Sequence, residues 1–324
     1  MFDMIGMHLS YVRSAYIIET IAPTGGAAIG RTHVRCHGCH RTHGGGAVAA
    51  RVLIDAGVPV RVVVRDRAKA VRWTELGAEV VVADLADSAA LMQAFAGARG
   101  AYLVKPPNYA LENLFEHADV TARAVAAAVR ATGLPKLVLL SSVGADRSAG
   151  TGVIATNRTA EQRLAELGIP VAFLRAAYFM ENWARVVEPV RVQGILPSLL
   201  GPVERAIPMV ATEDIGRVAA EMLQEDWSGV RKVGLAGPSA YSPADIADAF
   251  ARVLNRPVRP VALEPSAWAG VLAMNPFSTA AIDGFIELNR GLNNGHIGFE
   301  SDATVELRHG RVPFEHVAED ILRA

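Results

Sequence analysis

From Gly44 onward the spacing of hydrophobic residues switches repeatedly between a helical and an extended period. Gly44 to Gly57 opens on glycines, carries Ala49, Val52 and Leu53 at helical spacing, and stops at a glycine. Val60-Arg61-Val62-Val63-Val64-Arg65-Asp66 follows as a β-branched strand. A helix with Lys69 and Arg72 then leads to a third strand, Glu79 to Asp84. Ser88 to Ala96 is a short helix, and Gly100 to Val104 is a fourth strand ending at Lys105-Pro106-Pro107. Ala110 to Thr132 places Leu111, Leu114, Ala118, Ala122, Val125 and Val129 on one helical face, and Gly133 stops it. Leu137-Val138-Leu139-Leu140 is an unbroken apolar run, as in a central parallel strand. Thr156 to Leu167 reads as a helix, and Val171 to Leu174 as the sixth strand.

Strands that alternate with helices through short connections predict an α/β, doubly wound parallel Rossmann sheet. The C-terminal third differs. Thr212-Glu213-Asp214 opens a helix, Val233-Gly234-Leu235 reads as a strand, and Pro257 to Val261 as a short edge strand because of its prolines. Ser242-Pro243 starts another helix, with serine at the cap and proline in the first turn. This third is expected to form a smaller, mostly helical substrate lobe. The expected division is a non-native or disordered extension over 1–32, a dinucleotide domain over 33–205 and the lobe over 206–324.

A first strand ending in a glycine-rich turn should precede Gly44. The chain instead has His33-Val34-Arg35-Cys36-His37-Gly38-Cys39-His40-Arg41-Thr42-His43. Read one base downstream, the codons from His37 to Gly44 are compatible with T-G-A-T-G-x-T-G. Those from His33 to Cys36 are compatible with M-x-V-V, a start and a strand end. The sequence therefore predicts that residues 1 to about 43 are out of frame. In that case another segment must fill the first strand's place, because an empty slot would expose two sheet edges. Ser14-Ala15-Tyr16-Ile17-Ile18-Glu19 is the most strand-like candidate.

Composition narrows the alternatives. Cys36-His37-Gly38-Cys39-His40 matches the haem-attachment pattern C-x-x-C-H, and the cluster also resembles zinc ligands. The chain has only these 2 cysteines, so no second pair completes a structural zinc site, and no metal centre is expected. Asp3, Arg13 and Glu19 interrupt any secretory apolar run. A reducing cytoplasm is the expected location. A net charge of −1 over 324 residues gives no electrostatic reason for nucleic-acid binding. No apolar run reaches membrane-spanning length. The expected partner is a small-molecule substrate, and a homo-oligomer stays open.

Several stretches in order resemble the NmrA-like group of atypical short-chain dehydrogenases/reductases. They are Val60 to Asp66, Gly77-Ala78-Glu79-Val80-Val81-Val82-Ala83-Asp84-Leu85, Leu139 to Ala145, Phe173 to Asn182, and Ile207 to Ile215. The shifted T-G-A-T-G-x-T-G is similar to that group's phosphate loop. The resemblance implies a Rossmann fold that binds NAD(P). Gly38 and Gly44 keep two glycine positions of the loop and Gly45 opens the helix, but Arg41 fills the middle position.

An arginine at the end of the second strand, Arg65, favours a cofactor 2′-phosphate and hence NADP(H), with Arg67 and Lys69 as helpers. Asp66 keeps NAD(H) open, and a solvated basic face is the plainer alternative for the arginine. The resemblance makes Asp84, with Leu85 beside it, an adenine-side contact; a helix cap is the alternative. Lys105 and Pro106 either line the nicotinamide ribose or form a plain turn. Ser141 and Ser142 either reach the nicotinamide and substrate or bond to their own loop.

Catalytic candidates are fewer. No tyrosine occurs between Tyr109 and Tyr178, so the Tyr-x-x-x-Lys dyad of ordinary short-chain dehydrogenases is absent. Many NmrA-like members place a lysine four residues before a glutamate; here Glu161 is preceded at that spacing by Asn157. Ser141, Asn157 and Tyr178 remain the candidates, with Tyr178 otherwise an aromatic packed over the cofactor. Two functions follow. One is an NAD(P)H-dependent reductase of a quinone, azo compound or activated enone or carbonyl, acceptors that need little enzymic proton transfer. The other is a non-catalytic NAD(P)-binding redox sensor and regulator of the NmrA type.

Overall fold

A computed structural model describes residues 16–20, 45–105, 107–300 and 304–324. Its first elements are β1 (Tyr16–Thr20), α1 (Gly45–Asp55), β2 (Val60–Val64), α2 (Ala70–Glu75), β3 (Glu79–Val82), α3 (Ser88–Phe95), β4 (Ala98–Leu103), α4 (Leu114–Thr132), β5 (Leu137–Ser142), α5 (Ala155–Ala165) and β6 (Val171–Ala176). Then come β7 (Tyr178–Phe179), α6 (Val187–Gln193), β8 (Ile195–Ser198), β9 (Ile207–Val210), α7 (Thr212–Gln224), β10 (Val230–Ala236), β11 (Ala240–Tyr241), α8 (Pro243–Leu254), β12 (Arg259–Ala262), α9 (Trp268–Leu272), α10 (Thr279–Asn293), β13 (Val305–His309) and α11 (Phe314–Arg323).

Local chemistry sets the boundaries. Asp87 accepts from the amides of Ala89 and Ala90 at 3.0 Å and starts α3. Gly133 ends α4 in the left-handed region at φ 63°. Ser242 and Asp245 form a reciprocal capping box at α8. The largely buried apolar run of β5 sits between β4 and β6, as its lack of alternation requires.

Eight strands form the main sheet in the order β13-β10-β6-β5-β4-β1-β2-β3. α1, α2 and α7 pack on one face, and α3, α4 and α5 on the other, each over its own apolar core. This is the expected doubly wound α/β sheet. It also takes in β10 and β13 from beyond residue 205. A third core, around Trp183, Met209, Phe250 and Phe314, holds the largely helical C-terminal lobe, with two small sheets, β11-β9-β7 and β12-β8. No helix among the described residues is long and apolar enough to cross a membrane.

One strand departs from the parallel pattern. β1, which overlaps the Ser14–Glu19 segment singled out above, fills the central slot but runs antiparallel to both β2 and β4. Glu19 faces Val60 and Gly100, so β1 leaves the sheet at the amino end of its neighbours. α1 begins at the opposite end, where Gly45 shares a cavity with Lys105 and Ser142. In a parallel arrangement the strand would exit beside α1 and feed the phosphate turn directly. Gly38, Gly44 and the Cys/His segment lie outside the described residues.

α1 is held by unusually close packing on α7. A Cβ at Gly216 would come within 2.5 Å of the Gly45 carbonyl oxygen and the Val48 Cβ. Gly216→Ala is therefore expected to force the helices apart and cost about 1–3 kcal/mol. Urea unfolding should show a lower midpoint at unchanged slope; an unchanged midpoint would mean that the interface gives way freely.

Candidate functional site

The carboxyl ends of the parallel strands meet the C-terminal lobe at a cleft with two chambers that share wall residues. The smaller, of about 140 Å³, is lined by Arg65, Asp84, Leu85, Lys105, His117 and Thr156. The larger, of about 350 Å³, is lined at its sheet side by Gly45, Lys105, Ser141, Ser142, Asn157, Tyr178, Glu181 and Thr212. Lys105 and Thr156 belong to both walls. Gly45, Arg65, Asp84, Leu85, Lys105, Ser141, Ser142, Asn157 and Tyr178 thus fall on these two walls, whereas Arg67 and Lys69, the expected helpers of Arg65, line neither chamber. Pro106, like Gly38 and Gly44, lies outside the described residues.

In the smaller chamber Arg65 is exposed at the end of β2, while Asp66 accepts from the Ala68 amide at 2.9 Å and caps the short 3-10 turn that follows. Asp66 does not line the chamber; Arg65 does. Asp84 accepts from the Ala86 amide at 2.9 Å and keeps its other carboxylate oxygen, while Leu85 is buried beneath it.

In the larger chamber the two serines have their protons engaged. Ser141 donates to Glu161 Oε1 at 2.5 Å, and Ser142 donates to the Val143 carbonyl at 3.0 Å. A hydroxyl has one proton, so each is left with lone pairs to offer a ligand. Behind Ser141 lies a buried ion pair: Arg175 reaches both Glu161 oxygens at 3.0 and 2.6 Å, and its third bond, at 2.8 Å, goes to Glu300. This network ties α5 to β5 and β6 under the chamber floor.

Tyr178 is pushed above the usual phenol range by burial, against opposing effects of Arg185 and a hydrogen bond with Asn182. Asn157 is partly buried at the wall, one residue from Thr156. Thr156 donates to the Val153 carbonyl at 2.9 Å and accepts from Lys105 Nζ at 3.1 Å. Burial lowers the Lys105 amine to about 8.

Sequence reasoning missed two features. The first is Glu181. Its Oε1 accepts from the Thr212 amide at 2.8 Å and hydroxyl at 2.6 Å, capping α7, which has no side-chain cap of its own. Its Oε2 is closed to solvent and has no partner among the described residues. Burial raises this carboxyl, against the bonds from Thr212. The folded state therefore holds the proton after the unfolded chain releases it. Stability from this group is greatest below the ordinary value of 4.5 and falls as pH rises toward the elevated one. Glu181→Gln, which has no proton to lose, is expected to gain stability relative to the parent between pH 5 and pH 8. Paired denaturant titrations at the two pH values check this; an equal difference at both rules out the shift.

The second is the far wall of the larger chamber. Tyr109 packs edge-on to Phe285 with centroids 4.8 Å apart, and Phe277 stacks on Phe285 at 5.0 Å. Leu199, Leu272 and Leu288 complete an apolar box with Asn275 and Asn289 as its polar points. The only signal in the sequence is the apolar face of α10, which reads equally as core.

The model of the NmrA-like family matches residues 43–293. The NAD(P)H azoreductase of Xenophilus azovorans is 26% identical over 218 residues, covering 67% of this chain and 73% of that protein. The (4-alkanoyl-5-oxo-2,5-dihydrofuran-3-yl)methyl phosphate reductase of Streptomyces griseus is 30% identical over 216 residues, covering 66% of this chain and 72% of its own. Among solved structures, an NADPH-dependent quinone oxidoreductase of Escherichia coli superposes with a TM-score of 0.67 at 22% identity, over 84% of this chain and 94% of its own. With the family's model spanning most of the chain and the Rossmann sheet in place, this protein belongs to the NmrA-like family.

Proposed function

We propose that this chain is an NADPH-dependent reductase that passes a hydride to a small, largely apolar acceptor such as a quinone, an azo compound or an activated enone or carbonyl. The observation that carries this reading is the two-chambered cleft. A basic end with Arg65 and an aromatic box at the other end meet at one strand-edge lysine. Relatives named for azo, quinone and oxo-dihydrofuran substrates support it.

The cleft suits NADP(H). Arg65 offers a fork of donors to a 2′-phosphate. Asp84 and Leu85 form the adenine side. The amino end of α1, with Gly45 on the chamber wall, would take the pyrophosphate. When bound, the cofactor supplies the hydride. The chain's own residues do the rest: Tyr178 and Asn157 wall the reacting region, and the aromatic box of Tyr109, Phe277 and Phe285 excludes water. In this reading residues 33–205 are the cofactor-side unit and 206–324 the substrate-side unit, although α7, β10 and β13 join the sheet layer.

Titration calorimetry with NADPH and NADH, followed by cofactor oxidation across a panel of quinone, azo and enone acceptors, tests the proposal. Arg65→Ala is expected to weaken NADPH binding roughly 10- to 100-fold and leave NADH unchanged. Binding without oxidation of any acceptor would favour a redox sensor of the NmrA type, a reading in keeping with Asn157 in place of a lysine.

A further inference from the structure

The chain has 32 basic residues, and only four are lysines: Lys69, Lys105, Lys136 and Lys232. In so arginine-rich a chain, a lysine, which unlike arginine can give up its proton, stands on the wall shared by the two chambers. Lys105 leaves the carboxyl end of β4 and reaches across to α5, where Nζ bonds to Thr156 Oγ1 at 3.1 Å. Thr156 directly precedes Asn157, the position at which the helix lacks a lysine. Lys105 thus brings an ammonium from the end of β4 to the start of α5.

Its surroundings suit proton transfer. No carboxylate forms an ion pair with Lys105 among the described residues, and Thr156 Oγ1 is its one hydrogen-bond partner there. The titratable and charged groups sharing its walls are Arg65, Asp84 and His117 on the smaller chamber and Tyr109, Tyr178, Glu181 and Arg185 on the larger. The three hydroxyls read as candidates from the sequence are less suited: Ser141 and Ser142 donate into the protein, and Tyr178 holds its proton more tightly than a free phenol.

We propose that Lys105 is the catalytic proton donor, giving its proton to the acceptor atom adjacent to the one that receives the hydride. The inference rests on the reductase reading above. The reductant is a dihydronicotinamide, which supplies two electrons and a proton as hydride. The acceptor's double bond opens, its second atom forms a bond to hydrogen, and an N–H bond of Lys105 breaks. The neutral amine is stabilised by burial and takes a proton back from water. An amine lowered to about 8 is protonated at neutral pH and gives its proton readily.

Two measurements decide it. In the first, the lysines are reductively methylated with ¹³C and titrated by NMR, and the Lys105 signal is identified by its loss in Lys105→Arg. It is expected to titrate near 8, below the ordinary lysine range. In the second, NADPH oxidation is followed with methyl red and with 1,4-benzoquinone. Contrary to the expectation from sequence that an azo acceptor needs little enzymic proton transfer, Lys105→Met and Lys105→Arg are both expected to lower kcat for the azo dye about 100-fold, because neither residue can supply the proton. The quinone, whose reduced anion protonates from water, should lose far less. The fall in azo turnover at alkaline pH should disappear in both variants, while the NADPH Kd of Lys105→Arg stays within about threefold. Titration of Lys105 together with the other lysines overturns the proposal. So does an unchanged pH profile, or a loss confined to NADPH affinity, which would make Lys105 a phosphate contact. Failure of the reductase reading looks different: the parent chain would oxidise NADPH with neither acceptor, and the proton-donor role would fall with it.

Discussion

Replacing residues 1–44 with a segment that carries M-x-V-V-T-G-A-T-G-x-T-G ahead of Gly45 is expected to tighten NADPH binding about 100-fold, or roughly 2.8 kcal/mol. Two effects combine. A parallel first strand would leave the sheet at the carboxyl edge, beside the start of α1, whereas the antiparallel β1 leaves at the far edge. Glycine at the position of Arg41 would also let backbone amides approach the pyrophosphate at a helix N-terminus. Charge-assisted hydrogen bonds of this kind contribute about 1.5–3 kcal/mol each, so regaining one or two accounts for the expected gain. Titration calorimetry on both chains measures it. Equal binding would sink the glycine-loop argument and make the Cys/His segment a structural element in its own right.

Arg175→Met is expected to cost about 3–5 kcal/mol of folding stability. Arg175 and Glu161 keep only 6% and 7% of their side-chain surface exposed, so removing the guanidinium leaves a buried carboxylate with Ser141 as its remaining partner. The double variant Glu161→Leu/Arg175→Met should recover most of the loss, because two apolar side chains in that volume carry no desolvation cost. Urea unfolding of the parent, single and double variants completes the cycle. A single-variant loss below about 1 kcal/mol would mean that Glu161 takes up a proton or finds water instead. The prediction bears on function too, since Glu161 holds the hydroxyl of Ser141 on the chamber wall.

Part of the site is legible in the amino-acid sequence. Arg65, Asp84, Lys105 and Ser141 are readable because each follows a β-branched or apolar run, and parallel strands present such ends to one edge. Glu181 is not, because its significance lies in Oε2, which has no partner among the described residues while Oε1 caps α7, a consequence of how the turn after β7 meets α7. The aromatic box is hidden for a similar reason. Phe277 and Phe285 have the spacing of ordinary core residues, and only the docking of the C-terminal lobe brings them against Tyr109. For a proton donor, the family resemblance points to α5. The side chain that reaches that place starts beyond β4, 51 residues earlier than its partner Thr156.

By itself the sequence determined the rhythm of helices and strands, the doubly wound class and the edge on which the ligand-facing residues lie. These follow from periods of two and 3.6 residues and from glycine stops, which are local properties. The tertiary structure alone decided which strand end pairs with which helix, which polar atom is left without a partner, and the polarity of β1. The last case shows the physical reason. A run of aromatic and β-branched residues has the same strand propensity whichever way the chain runs, so Tyr16 to Thr20 identifies itself as a strand but not its direction. That direction depends on hydrogen-bond register with β2 and β4, residues far away in the chain.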